Sequence, residues 1–240
     1  MSRLRDLMVR VARLERRGSG LTPLQGVDLS KRDLSGVDFS KTDLTGANLT
    51  DTNLLAANFT GADLSNADLS WSKLINADFS EARLKEASLK GANLTNANFT
   101  SANLTGAKLN AVLRGANFTN ADLTGAYLSE ANITGATLTS ADLTGAYLKG
   151  VILSQATLTG ADLRGADLSY ANLTSANLTS AILRLTNFTK ANLTEANLSG
   201  ADLSNATLKG ANLTNAKYDD QTTFPSTITR TQIASMIKLP

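Results

Sequence analysis

Residues 91–106 read GANLTNANFTSANLTG, three passes through one five-residue unit in which Ala92, Ala97 and Ala102 are each followed two residues later by Leu94, Phe99 and Leu104. Five is neither the 3.6 of an α-helix nor the 2.0 of a strand, so either element would scatter the large apolar residues over every face. The chain must therefore turn once per unit. Alanine and leucine lie two apart and share a face, with Asp or Asn between them on the other, which is the alternation of a short strand. The Ser or Thr and the fifth residue then form a corner, for which residues tolerant of turn dihedrals are suited.

Working outward, the unit A-(D/N)-L-(S/T)-x recurs from residue 22, plainly so at Gly61–Leu64 and Gly210–Leu213. The central position is Phe at 39, 59, 79, 99 and 118, so aromatics recur every fourth unit and four units complete one coil. Tyr218 falls in the same column. The one step of 19 follows from a missing residue, because after Ala107-Lys108-Leu109-Asn110 the next unit begins at once with Ala111-Val112-Leu113. Phe118 keeps its column, so the coil absorbs the deletion locally. Central positions run from 24 to 109 and from 113 to 218 in steps of five, which makes forty units. These predict about ten coils and, at ~4.8 Å per coil, a rod roughly 48 Å long. Each buried central Leu or Phe contributes about 1.5–3 kcal/mol, and the small alanines leave room for four large side chains per layer.

The repeat resembles the pentapeptide-repeat proteins over roughly residues 22–218. The resemblance implies an all-β, right-handed quadrilateral parallel β-helix, abundance in cyanobacteria and, as a rule, no enzymatic activity. It also implies that some members protect DNA gyrase by imitating the shape and charge of DNA. Val27, Arg32, Val37, Thr42, Thr52, Ser72, Val151 and Thr186 stand where the unit has Ala, which puts local regularity in question. The expected organisation is an N-terminal amphipathic helix or cap (1–20), the β-helix (21–218) and a C-terminal loop and short helix (219–240).

The 240 residues contain no His and no Cys, which excludes a thiolate or imidazole zinc site, a cysteine nucleophile, disulfides and a histidine base. Net charge is +2, but its distribution is uneven: +4 over residues 1–20, −3 over 21–216 and +1 in the tail. No run approaches the ~20 apolar residues of a membrane span, and no signal-peptide core is evident, so a cytoplasmic protein is expected. The Asn-x-Ser/Thr triplets, as at Asn48, Asn93 and Asn103, are by-products of the repeat.

A β-helix leaves unpaired edges at both ends, which predicts capping and a monomer or end-to-end dimer. Residues 3–17 place Leu4, Leu7, Met8, Val11 and Leu14 on one helical side, with Arg3, Arg10, Arg13 and Arg17 mostly elsewhere. Such a helix suits a cap, a partner or a membrane surface. At the other end Phe224, Ile228, Ile233, Met236 and Ile237 suit a segment laid over the last coil.

Sorted by face, Asp43, Asp63, Asp122, Asp142, Asp162 and Asp202 form a ladder interrupted by Arg83, Asn103 and Ile182, with Arg164 and Arg184 beside it. The next face carries Lys90, Lys108, Lys149 and Lys209, and Trp71 stands at a corner. Carboxylates stacked on a convex face lack the desolvated, concave setting that perturbs pKa values, so no catalytic, cofactor or metal residue is expected. The candidate interaction surface is the Asp ladder, Trp71 and the Arg10, Arg13 and Arg17 helix. The favoured function is a non-enzymatic scaffold or regulator that binds another protein. The alternative is a DNA-mimicking topoisomerase-binding protein, which the weak charge of the body argues against; no nucleic-acid partner is expected. A parallel β-helix enzyme would need a cleft of converging acids, and threonine columns for ice or glycans are broken by Ser, Lys and Arg.

Overall fold

Each unit supplies one side of a coil because the residue between alanine and leucine directs both its backbone groups to the preceding coil. Asn48 donates its N–H to the Val27 carbonyl at 2.8 Å, and its own carbonyl accepts from Leu29 N–H at 2.8 Å. Its neighbours reach the other way: Ala47 accepts from Asp68 N–H, and Leu49 donates to the Asp68 carbonyl. The resulting parallel bridges join residues 20 apart over most of the rod, from Asp28↔Asn48 to Asn197↔Lys217, and the last, Asp202↔Thr223, spans 21. Four of them (Asn93↔Val112, Asn98↔Asn117, Asn103↔Asp122 and Lys108↔Tyr127) span 19. Four units per coil, and a deletion absorbed within one coil, follow directly. The computed structural model describes residues 24–240. The helix expected over 3–17, with Arg10, Arg13 and Arg17, lies outside the described residues.

The corners are uniform. Ala62 N–H closes a turn on the Phe59 carbonyl at 2.9 Å, and the fifth residue of the unit takes a positive φ, from 52° to 71°, at every corner from Gly26 to Asn215 but one. Twenty-three of these corner residues are not glycine. An L-residue there costs about 1–2 kcal/mol, offset by the turn bond and by a bond to the next coil such as Trp71 N–H to the Lys90 carbonyl at 2.9 Å.

Where Asp or Asn stands between alanine and leucine, it opens the corner that follows. Asp63 Oδ1 accepts the Ser65 amide at 3.0 Å, and Asn93 Oδ1 accepts both the amide and the hydroxyl of Thr95, at 3.2 and 2.7 Å. Only a short side chain carrying a carbonyl-type oxygen does this, which explains the (D/N)-L-(S/T) order. Between coils an Asn amide often donates to an Asp, as Asn58 to Asp38 and Asn98 to Asp78, both at 3.1 Å.

The lumen is dry and layered. Phe39, Phe59, Phe79, Phe99 and Phe118 stack with centroids 4.8–5.3 Å apart. Phe188 is buried in another column, between Leu168 and Leu208. Three of the polar residues standing for alanine keep the coils regular by finding a carbonyl 23 residues back: Thr52 on Leu29, Ser72 on Leu49 and Thr186 on Leu163, at 3.1, 2.6 and 2.7 Å. The short corner at Asn110 lacks the residue whose amide would reach the next coil. Asn110 Nδ2 donates to the Ser129 carbonyl at 2.8 Å instead.

After β1 (Lys217–Tyr218) the chain turns back through α1 (Arg230–Ala234) to β2 (Ile237–Lys238), which pairs in parallel with β1. Thr229 and Gln232 form a capping box for α1, and Gln232 Nε2 also donates to the Leu208 carbonyl at 2.9 Å. Phe224 meets Tyr218 edge-on at 5.4 Å, and Phe224, Ile228 and Met236 pack on the core.

Candidate interaction surface

The Asp ladder is one face, bridged directly at Asp43↔Asp63 and Asp122↔Asp142↔Asp162 and separated by Arg83, Asn103 and Ile182. Each carboxylate accepts the amide two residues on, and most have a further partner. Asp63 faces Arg83 at 3.6 Å, Asp162 faces Arg164 at 2.6 Å, and Asp202 faces Arg184 at 2.5 Å. Asp43 takes Gln25 Nε2 at 2.7 Å, and Asp122 takes the Thr105 hydroxyl at 3.0 Å. Burial pushes the Asp162 carboxyl up, but hydrogen bonds and charge from Arg164 outweigh it and hold the group below its ordinary range. At Asp202 the Ser204 hydroxyl is the largest cause of a lowered pKa, with Arg184 assisting. The ladder is thus largely engaged by its own molecule.

Trp71 is 64% exposed and at the same time packed, since a Cβ added at Gly91 on the next coil would lie 2.3–2.8 Å from indole atoms. Its corner continues through Gly91, Asn110, Glu130, Gly150 and Tyr170 to Lys190, one residue per coil. Every exposed aromatic among the described residues lies on this corner or the adjoining face: Trp71, Tyr127, Tyr147 and Tyr170. The Tyr127 and Tyr147 rings stack at 4.8 Å, and Lys149 and Lys190 place their ammonium groups 5.8 and 5.3 Å from the centre of the Tyr170 ring. The face is the lysine-bearing one, and the same twenty-residue spacing that gathers the lysines brings the tyrosines to it. At the short corner a depression of about 660 Å³ opens, lined by Lys90, Gly91, Lys108, Asn110, Val112 and Tyr127 among others.

No group of three or more Asp or Glu among the described residues could hold a metal ion, and no described helix is long and apolar enough to cross a membrane. The family model for pentapeptide repeats matches in eight copies between residues 24 and 217. The chain belongs to the pentapeptide-repeat family. Among solved structures it is similar to HetL, a pentapeptide-repeat protein involved in regulating heterocyst differentiation in the cyanobacterium Nostoc sp. strain PCC 7120. Identity is 34% over 82% of this chain and 90% of HetL, with a TM-score of 0.78. It is also similar to QnrB1, a plasmid-mediated fluoroquinolone resistance protein, at 25% identity over 79% of this chain and 90% of that one, with a TM-score of 0.60. No curated protein matches the chain. Pentapeptide-repeat proteins are right-handed β-helices, in keeping with the parallel ladder described above.

Proposed function

We propose that this pentapeptide-repeat protein is a non-enzymatic scaffold or regulator that acts by binding another protein. The observation that carries the reading is the continuous coil-to-coil parallel ladder, which leaves side chains displayed on convex faces. Catalysis generally needs a concave, water-excluding site. Similarity to HetL, itself involved in regulation, agrees with this reading. The proposal takes the whole chain as ten coils, residues 21–218, closed by segments 1–20 and 219–240, in the cytoplasm. A pull-down with the intact protein from its native cell tests it: a stoichiometric protein partner is expected, and turnover of a small molecule by the purified protein would contradict it. Starting the chain at Ser19 tests the N-terminal cap, because exposed first-coil edges would raise the mass seen by light scattering.

Similarity to QnrB1 favours one second reading, a DNA-mimicking protein that binds a topoisomerase. A mimic needs a dense negative surface, whereas Arg83, Arg164 and Arg184 pair with three of the six ladder carboxylates. No inhibition in a gyrase supercoiling assay at micromolar protein is expected; inhibition would restore that reading.

A further inference from the structure

We propose that the corner from Trp71 to Lys190 is the docking site for an extended, acidic segment of a partner protein, centred on the notch at Asn110. The inference rests on the scaffold reading and adds to it a surface and a partner chemistry. Three observations carry it.

The first is the gathering of apolar surface. The other outward faces are mainly Asp, Asn, Ser and Thr, but here Trp71, Tyr127, Tyr147 and Tyr170 line up along the rod, with Val112 and Ile152 exposed just across the corner. Elsewhere on the coils Leu55 is exposed singly at a corner, and Leu185 with Ile182 in the same unit makes a smaller pair without an aromatic. Aligned exposed aromatics are the residues that anchor protein interfaces.

The second is charge. Lys90, Lys108, Lys149 and Lys190 make no ion pair among the described residues, whereas the arginines on the neighbouring acidic face are paired. Asp68, Glu130 and Asp167 are the acids along this stretch. Lys108, Lys149 and Lys190 stand two coils apart, roughly 10 Å at ~4.8 Å per coil. A polyproline-II-like extended chain advances ~3.1 Å per residue and repeats its side-chain direction every three residues, so a carboxylate at every third residue would meet them in turn.

The third is the notch. One corner residue is missing, its cross-coil bond is supplied by Asn110, and the depression between Lys90, Lys108 and Tyr127 opens at that corner. A protein segment suits this surface better than a nucleic acid. Tyr127 and Tyr147 cover each other's faces, leaving no slot for a base between them. Glu130, Asp167 and the adjoining Asp122–Asp162 ladder would repel a continuous phosphate backbone.

The test uses Trp71, the one tryptophan of the chain, as its reporter. The intact protein is titrated with a twelve-residue peptide carrying Glu at every third position and Leu and Ser between, with the same peptide carrying Lys for Glu, and with oligothymidylate. The acidic peptide is expected to give a saturable, salt-sensitive change in Trp71 emission and the lysine peptide none. Affinity should fall about tenfold or more in Lys108→Glu/Lys149→Glu and on insertion of one glycine after Asn110, and stay unchanged in Asp142→Asn. The insertion restores the regular corner, so its melting temperature should not fall, which separates loss of the notch from loss of the fold. No saturation with the acidic peptide, an equal response to the lysine peptide, full affinity in both altered proteins, or saturation by oligothymidylate alone would overturn the inference. Should the native partner bind both altered proteins normally, the scaffold reading stands and this surface assignment falls.

Discussion

The acidic face and the Trp71 corner are wound on the same lumen, yet they differ in how their charge is used. On the acidic face Asp63, Asp162 and Asp202 are tied to Arg83, Arg164 and Arg184, and Asp43 and Asp122 to Gln25 and Thr105. At the corner Lys149 and Lys190 face only the Tyr170 ring, and Lys90 and Lys108 rim an open depression. The face with more ionisable groups thus has less charge to offer a partner. A column of like charges counted from sequence overstates the field when each member also has a hydrogen-bonding duty within its own repeat.

The comparison presumes that both surfaces hang on one inward register, and the largest effect tests that presumption. Phe79→Asp or Leu94→Asp places a carboxylate in a dry lumen and should cost more than about 4 kcal/mol, unfolding both regions together in a thermal melt. Asp142→Asn should melt like the parent, and three equal melting temperatures would refute the register.

Next in size are changes at the short corner and the ladder. Asn110→Ala removes the bond to the Ser129 carbonyl and should cost about 1 kcal/mol, read as a lower midpoint in urea. On the acidic face Asp142→Ala removes the acceptor for the Thr144 amide and should also cost about 1 kcal/mol, while Asn, which keeps that oxygen, should cost about 0.5 kcal/mol or less. An alanine as stable as the asparagine would reduce the ladder to solvated charge.

Acid separates the regions more gently. At Asp43, Asp122 and Asp162 burial pushes the carboxyl up, but hydrogen bonds from Thr45, Thr124 and Arg164 outweigh it and leave the pKa lowered. At Asp202 the Ser204 hydroxyl is the first cause of the lowering. A folded-state pKa below the unfolded one gives stability that is present above the unfolded value of about 3.9 and is lost as pH falls through the folded values. Melting temperature should therefore be flat from about pH 5 to 8 and decline below about pH 4. A decline already at pH 6 would contradict this.

The architecture was legible because the phenylalanine spacing reports the coil, and Asn110-Ala111 reports the lost residue. The regularity that Thr52, Ser72 and Thr186 put in question was preserved, since each hydroxyl reaches a carbonyl 23 residues back that no local pattern reveals. The role of the Asp/Asn position was also hidden. Interchange of the two residues looks like indifference to a solvated site until the Oδ1 bond to the i+2 amide is seen, which both can accept. Phe188 has no aromatic 20 residues before or after it, so spacing alone does not reveal its column. Tyr127, Tyr147 and Tyr170 were within reach of the same arithmetic that sorted the lysines, but their exposure and stacking were not.

The most direct measurement is site-specific photo-crosslinking in the native cell, with a photoreactive amino acid replacing Lys108 in one version of the intact protein and Asp142 in another. A discrete protein adduct from position 108, and none from 142, is the predicted result. An adduct from 142 alone, or from neither position, would contradict the view that this rod meets its partner at the Trp71 corner.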